Sequence, residues 1–351
     1  MRWDNLAISE STGDPQGEAS GRMTIPLFEQ GAVVRRFDTP EFRGITFYEV
    51  QAKSIINKVP EASHMPFRWT INPYRGCSHA CLYCFARKTH TYLDLDAGED
   101  FNSQIVVKVN APELLRKELT KKSWSGEHIA MGTNVDPYQR AEGRYKLMRG
   151  ILQELRDAAN PFSILTKGSL ILRDVDLLRE AAERTDVGAS VSIGSVDRDV
   201  WRALEPGTPA PQKRLEVCRT LADAGIGCGV LMAPIIPFLS DSQEQLTATV
   251  KAIAEAGARY LSPIVLHLRP GAREWFMAWL RDARPDLVPK YERLYRGGSY
   301  APKAYQQEIS GRVHDLANRF GIGKAGPRDA RNVGHRRPPP KPLPPEQLAL
   351  L

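Results

Sequence analysis

From about residue 66 onward, short apolar runs alternate with longer stretches of helical spacing. Phe67–Asn72 predicts a strand, and a helix is expected at 112–121. His128–Met131 is the next strand. Gly143–Ala159 then places Leu147, Ile151, Leu152 and Leu155 on one helical face. Pro161 breaks that helix before the strand Phe162–Thr166. Helix Asp174–Glu183, strand Ala189–Ile193, helix Lys213–Ala224, strand Gly227–Met232, helix Ser242–Ala256, strand Tyr260–Leu266 and helix Arg273–Arg281 follow, with Gly225 and Gly257 as helix stops. Alternation of this kind implies a parallel α/β sheet with right-handed crossovers. Six β→α units curl into an open partial (β/α)6 barrel, whose chemistry is expected at the C-terminal ends of the strands. One further apolar run, Ile105–Val109, is assigned to an insertion after the first helix.

The ends of the chain read differently. Residues 1–25, rich in Gly, Ser, Asp and Glu, are expected to be disordered. Residues 26–65 form an N-terminal extension with short apolar runs such as Ile45-Thr46-Phe47-Tyr48, expected to wrap a core at 66–300. Residues 301–325 are expected as a C-terminal helix and loop. Residues 326–351 form a basic tail containing Arg336-Arg337-Pro338-Pro339-Pro340-Lys341-Pro342, which cannot build a core and should be disordered and extended. No run of about 18 apolar residues occurs, so no membrane span is expected. The polar, acidic N-terminus lacks the features of a secretory signal, which points to the cytoplasm. The net charge of +7 permits a nucleic-acid substrate, although a soluble surface with a basic tail is the better account of it.

Candidate chemistry concentrates in the cysteines. There are five: Cys77, Cys81, Cys84, Cys218 and Cys228. The odd count and the tight trio argue against a disulfide framework. The trio has Cys-x3-Cys-x2-Cys spacing within Asn72-Pro73-Tyr74-Arg75-Gly76-Cys77-Ser78-His79-Ala80-Cys81-Leu82-Tyr83-Cys84-Phe85-Ala86-Arg87. Soft thiolates suit an iron–sulfur cluster. Three ligands hold three corners of a cubane and leave the fourth iron open for a substrate or cofactor. The alternative is a zinc knuckle with His79 or His90 as fourth ligand. It needs a second close cysteine pair, which Cys218 and Cys228 do not form in sequence. Those two read as buried, inert thiols.

This run resembles the signature of the radical S-adenosylmethionine superfamily. Its flanks, NPYRGC and YCFAR, are similar to the spore photoproduct lyase-like branch, over roughly residues 66–300. The resemblance implies a [4Fe-4S] cluster on Cys77, Cys81 and Cys84. It also implies S-adenosylmethionine chelated to the open iron through its amino and carboxylate groups, and a one-electron donor such as flavodoxin or ferredoxin. In that family the reduced cluster breaks the sulfonium C–S bond, and the resulting 5′-deoxyadenosyl radical abstracts hydrogen from a substrate.

By the same resemblance, the turn carrying Thr133 and Asn134 lies where the cofactor's amino group is held. Lys167 matches a lysine contacting its carboxylate, and Ser192 a serine near its methionine and ribose. Ala233 and Pro234 match the segment that meets the adenine, and Phe85, directly after Cys84, belongs with these contacts. The related lyase resets its cycle with a hydrogen-donating cysteine near the end of the second strand. Met131, Thr133 and Asn134 stand there instead, so reversal of a thymine dimer is not carried over. A reading from a different class is a non-catalytic metal- and nucleic-acid-binding module that uses the basic tail.

Other signals fall away. Gly321-Ile322-Gly323-Lys324-Ala325-Gly326 fits GxGxxG but follows a helix, so it reads as a helix stop and loop. Trp275, Phe276 and Trp279 read as core. His267, ending the sixth strand, could face a substrate or be structural.

Overall fold

The structure, a computed structural model, describes residues 31–63 and 65–324. The expectations for residues 1–25 and 326–351 lie outside the described residues. Among the described residues twelve strands run in chain order: β1 (Val33–Arg36), β2 (Thr46–Val50), β3 (Ile56–Lys58), β4 (Trp69–Ile71), β5 (Tyr74–Arg75), β6 (Gln104–Lys108), β7 (Ile129–Met131), β8 (Phe162–Thr166), β9 (Val187–Ser192), β10 (Cys228–Ile235), β11 (Tyr260–Val265) and β12 (Gly323–Lys324). The large sheet has the order β12-β11-β10-β9-β8-β7-β4-β3. Its strands from β4 to β12 are parallel, and β3 alone runs antiparallel, on β4. The six strands read from sequence are β4, β7, β8, β9, β10 and β11, side by side in that order. The sheet is open, with β3 and β12 as its edges.

Along β8 the pleat is visible in burial. Phe162, Ile164 and Thr166 are buried, whereas Ser163 and Leu165 face a cavity on the other side. Helix Leu147–Asp157 covers the outer face with Leu147, Met148, Ile151, Leu152 and Leu155, all buried. Each such side chain contributes about 1.5–3 kcal/mol by leaving water. The single helix expected over Gly143–Ala159 is two, Arg140–Tyr145 and Leu147–Asp157, separated by Lys146 at φ +51°.

Two expectations are corrected by pairing between distant segments. The run Ile105–Val109 is β6. It precedes helix Ala111–Leu119 and pairs in parallel with β2, Phe47 opposite Ile105 and Glu49 opposite Val107. The residues expected merely to wrap the core therefore complete a second sheet, β1-β2-β6-β5. After helix Lys303–Arg319, the expected loop contains β12, which joins β11 with Gly323 opposite Tyr260. Neither pairing has a local signal, because each partner is short and lies far away in sequence.

Candidate active site around the cysteine loop

The cysteine loop leaves the C-terminal end of β4 and is fixed by buried polar groups on three sides. Gln139, fully buried, accepts from the Ser78 backbone N–H at 2.8 Å and donates through Nε2 to the Gly76 carbonyl at 2.9 Å. Arg87 donates through Nε and Nη2 to the Cys81 carbonyl at 3.2 and 2.9 Å, and through Nη1 to the Gly98 carbonyl at 2.7 Å. Its guanidinium lies between the rings of Phe101 and Trp275, 5.3 and 4.9 Å from their centroids. On the third side the Gly207 N–H donates to the His79 carbonyl at 3.0 Å. A Cβ at Gly207 would stand 2.2 Å from the Ser78 carbonyl oxygen, so the approach requires glycine.

Cys77 and Cys81 are buried and Cys84 is half-buried. Burial pushes all three thiols up, Cys81 to about 12. Left to the protein alone they would stay protonated. A cationic iron–sulfur centre supplies the charge that turns such thiols into thiolate ligands, and the donor set fits it. The zinc alternative fits less well. His79 and His90 are engaged elsewhere: His79 Nδ1 lies 3.3 Å from Asp136 Oδ2, and His90 Nε2 meets the Gln104 carbonyl at 2.9 Å.

Behind the loop, the ends of β8, β9 and β10 meet in one buried node. Lys167 Nζ donates to Ser192 Oγ at 2.7 Å, to Glu205 Oε1 at 3.2 Å and to the Ala233 carbonyl at 3.4 Å. Ser192 Oγ donates to the same carbonyl at 2.9 Å. Glu205 also accepts from the Tyr83 hydroxyl and from Arg214 Nη2, and Arg214 is 1% exposed. Burial alone would raise the Glu205 carboxyl, but Arg214 and Lys167 hold it well below the usual carboxylate range. Asp136 is a second such node. Oδ1 accepts from Thr166 Oγ1 at 2.6 Å and Oδ2 from the Lys167 N–H at 2.6 Å. With His79 beside it, these bonds overcome desolvation and lower its pKa.

The structure brings Lys167, Ser192 and Ala233 into direct contact. Pro234 follows on β10, with its carbonyl packed against Gly194. Phe85, Thr133 and Asn134 instead line a cavity of 1160 Å³ beside the loop. Thr133 Oγ1 is buried with no hydrogen-bond partner, a polar atom open to a ligand. Gly132, at φ +87°, lies so close to β8 that a Cβ would stand 1.8 Å from the Leu165 carbonyl oxygen. His267 also lines the cavity, stacked on Tyr300 and with the Phe85 ring tilted against it. Of the three aromatics read as core, Phe276 is buried, whereas Trp275 and Trp279 are half-buried and Trp275 clamps Arg87. Cys218 and Cys228 are fully buried, and Cys228 Sγ donates to the Gly229 carbonyl at 3.5 Å.

Sequence reasoning missed Glu205 and Arg214. They lie far from the cysteines in the chain, and only the fold makes them neighbours. Arg87, and Asp136 and Gln139 in the turn that carries Thr133 and Asn134, lay inside segments already singled out, where a polar or charged residue in an otherwise buried turn is the available signal.

With this geometry in view, the chain's class is settled by comparison. The radical SAM superfamily profile matches residues 71–253, and the chain belongs to that superfamily. It is therefore an enzyme of radical SAM chemistry, whose cofactors are a [4Fe-4S] cluster and S-adenosylmethionine, and such enzymes take an electron from a donor. At 46% identity, over 97% of this chain and 96% of the relative, it is similar to an uncharacterized protein of Mycobacterium tuberculosis. At 34% identity, over 56% of this chain and 70% of the other, it is similar to an uncharacterized protein of Methanocaldococcus jannaschii. Among solved structures, spore photoproduct lyase complexed with dinucleoside spore photoproduct shares the fold, with TM-score 0.60 and 17% identity over 78% of this chain and 79% of that one. Among the described residues no helix is long and apolar enough to cross a membrane.

Proposed function

We propose that Cys77, Cys81 and Cys84 each ligate one iron of the [4Fe-4S] cluster and leave the fourth iron open to S-adenosylmethionine. The observation that carries this reading is the trio of thiols, two buried and one half-buried, on a loop braced by Arg87, Gln139 and Gly207. Bound there, the cluster and its cofactor supply reductive cleavage of the sulfonium and a 5′-deoxyadenosyl radical for hydrogen abstraction.

The chain's own residues then hold and orient. Lys167 offers its ammonium to the cofactor's carboxylate, with Glu205 and Ser192 keeping it in place. Thr133 Oγ1 and Asn134 receive the amino group. Ser192 lies by the ribose, and Ala233 and Pro234 form the wall against the adenine. Phe85 closes the side facing the cavity. The acceptor of the radical sits in the cavity, and the electron comes from a flavodoxin or ferredoxin in the cytoplasm.

The test is anaerobic reconstitution of the full chain, reduction, and chromatography for 5′-deoxyadenosine. Wild type should show the iron–sulfur absorbance near ~400 nm and release the nucleoside. A Cys81→Ala protein that loses the cluster yet keeps cleaving the cofactor would refute the assignment.

A further inference from the structure

Arg87 sits three residues beyond Cys84, in the first turn of the 3-10 helix Phe85–Leu93, and its side chain folds back onto the cysteine loop. It is 0% exposed. A fully buried arginine is ordinarily held by a carboxylate. Arg214 follows that rule on Glu205, as Lys167 does. Arg87 is held by neutral oxygens instead. Besides the Cys81 and Gly98 carbonyls, its guanidinium reaches the Ala80 carbonyl at 3.4 Å, the Ala97 carbonyl at 3.2 Å and Asn102 Oδ1 at 2.9 Å. These dipoles fix the guanidinium in place but carry no net charge to cancel it.

The charges around Arg87 are unequal. Burial pulls the guanidinium below its ordinary value, while Cys84, Cys81 and Cys77, in that order, and then Glu99 favour its charged form. Glu99 is exposed, and its carboxylate accepts from Asn102 Nδ2 at 3.4 Å. Solvent screens a charge placed there. Cys77 and Cys81 are buried together with Arg87, where the effective dielectric constant is low and a charge acts more strongly. The field of this cation therefore falls mainly on the three cysteines.

Reduction adds one electron to an iron–sulfur cluster and makes it one unit more negative, with no bond made or broken. Net charge and hydrogen bonding around a cluster set its potential, and a fixed cation favours the more negative state. We infer that Arg87, besides bracing the loop, raises the reduction potential of the [4Fe-4S] cluster and so eases entry of the electron from its donor. This rests on the ligation by Cys77, Cys81 and Cys84 proposed above.

The test is a redox titration of the full-length protein, reconstituted anaerobically without S-adenosylmethionine, using dithionite and dye mediators. Electron paramagnetic resonance reads the reduced cluster. Arg87→Gln should make reduction about tenfold less favourable, a shift of about 59 mV to lower potential for a one-electron couple. Arg87→Lys keeps the charge and should stay near wild type. Asn102→Asp leaves the carbonyl bonds of Arg87 standing and sets a carboxylate against its Nη2. It should lower the potential too, and it carries the test should Arg87→Gln fail to fold. Lys251→Ala removes an exposed cation from helix Gln243–Glu255 and should leave the potential where it was.

An unmoved potential in Asn102→Asp, or equal shifts in Arg87→Lys and Arg87→Gln, would overturn the role of the charge and leave the cluster reading intact. Iron content and absorbance near ~400 nm are measured before the titration. Wild type that assembles no iron–sulfur cluster would sink the ligation itself, and the role of Arg87 with it.

Discussion

Two halves of the site handle charge in opposite ways. Around the cysteine loop every buried charge is answered: Glu205 by Lys167 and Arg214, Asp136 by His79, Arg87 by a set of carbonyls. Across the loop, the cavity is lined by Lys53, Lys58, Arg75, Lys108 and Arg269 and by no acid. Buried ions are tolerated when paired and fully hydrogen-bonded. The answered half is a pre-built frame. The cavity half instead leaves a neutral polar atom, Thr133 Oγ1, without a hydrogen-bond partner.

Breaking the framed half should have the largest effects. Cys81→Ala should abolish both the absorbance near ~400 nm and 5′-deoxyadenosine release, because a cubane with two protein ligands is poorly held. Glu205→Ala leaves Arg214 buried and Lys167 without its carboxylate. It should destabilise the fold by about 3–5 kcal/mol, read as a lower urea midpoint with unchanged slope.

Acid should come next. His128 has no hydrogen-bond partner at either ring nitrogen, and burial holds it down to about 4; His90 is likewise held at about 4. The unfolded chain takes up these protons near the ordinary value of ~6.5. Between the two values the unfolded state binds more protons, so stability is full above about 6.5 and falls as the pH drops toward 4. At full effect each histidine is worth on the order of 3 kcal/mol. A urea series from pH 7 to 4.5 checks this, and a midpoint that rises on acidification would contradict it.

Lys167→Ala should raise the KM for S-adenosylmethionine about tenfold, the scale of one charged contact, with a smaller loss in kcat. The smallest effect belongs to a charge pair outside both halves. Lys213 and Glu216 lie 2.7 Å apart with side chains 63% and 50% exposed, and Lys213→Ala should move stability by no more than roughly 0.5 kcal/mol. A larger shift there would mean that pairing in the frame is nothing special.

Local spacing was enough to read the six central strands, most of their helices and the three cysteines. Alternation, helix stops and a Cys-x3-Cys-x2-Cys run are all written within about twenty residues of chain. That short range also carried the family resemblance, since the signature and its flanks are one continuous segment. Lys167 and Ser192 came from that resemblance, each placed at the end of a strand whose position was already clear.

Tertiary structure alone decided the rest. It paired β2 with β6 across more than fifty residues, and it set Glu205, 122 residues beyond Tyr83, against the cysteine loop. It also gathered five cations and no acid along the cavity wall, which no count of charges along a chain with net +7 could reveal. The reason is physical. A helix or strand is chosen by neighbours in sequence, whereas the cost of a buried charge depends on whichever groups folding brings within a few ångströms of it.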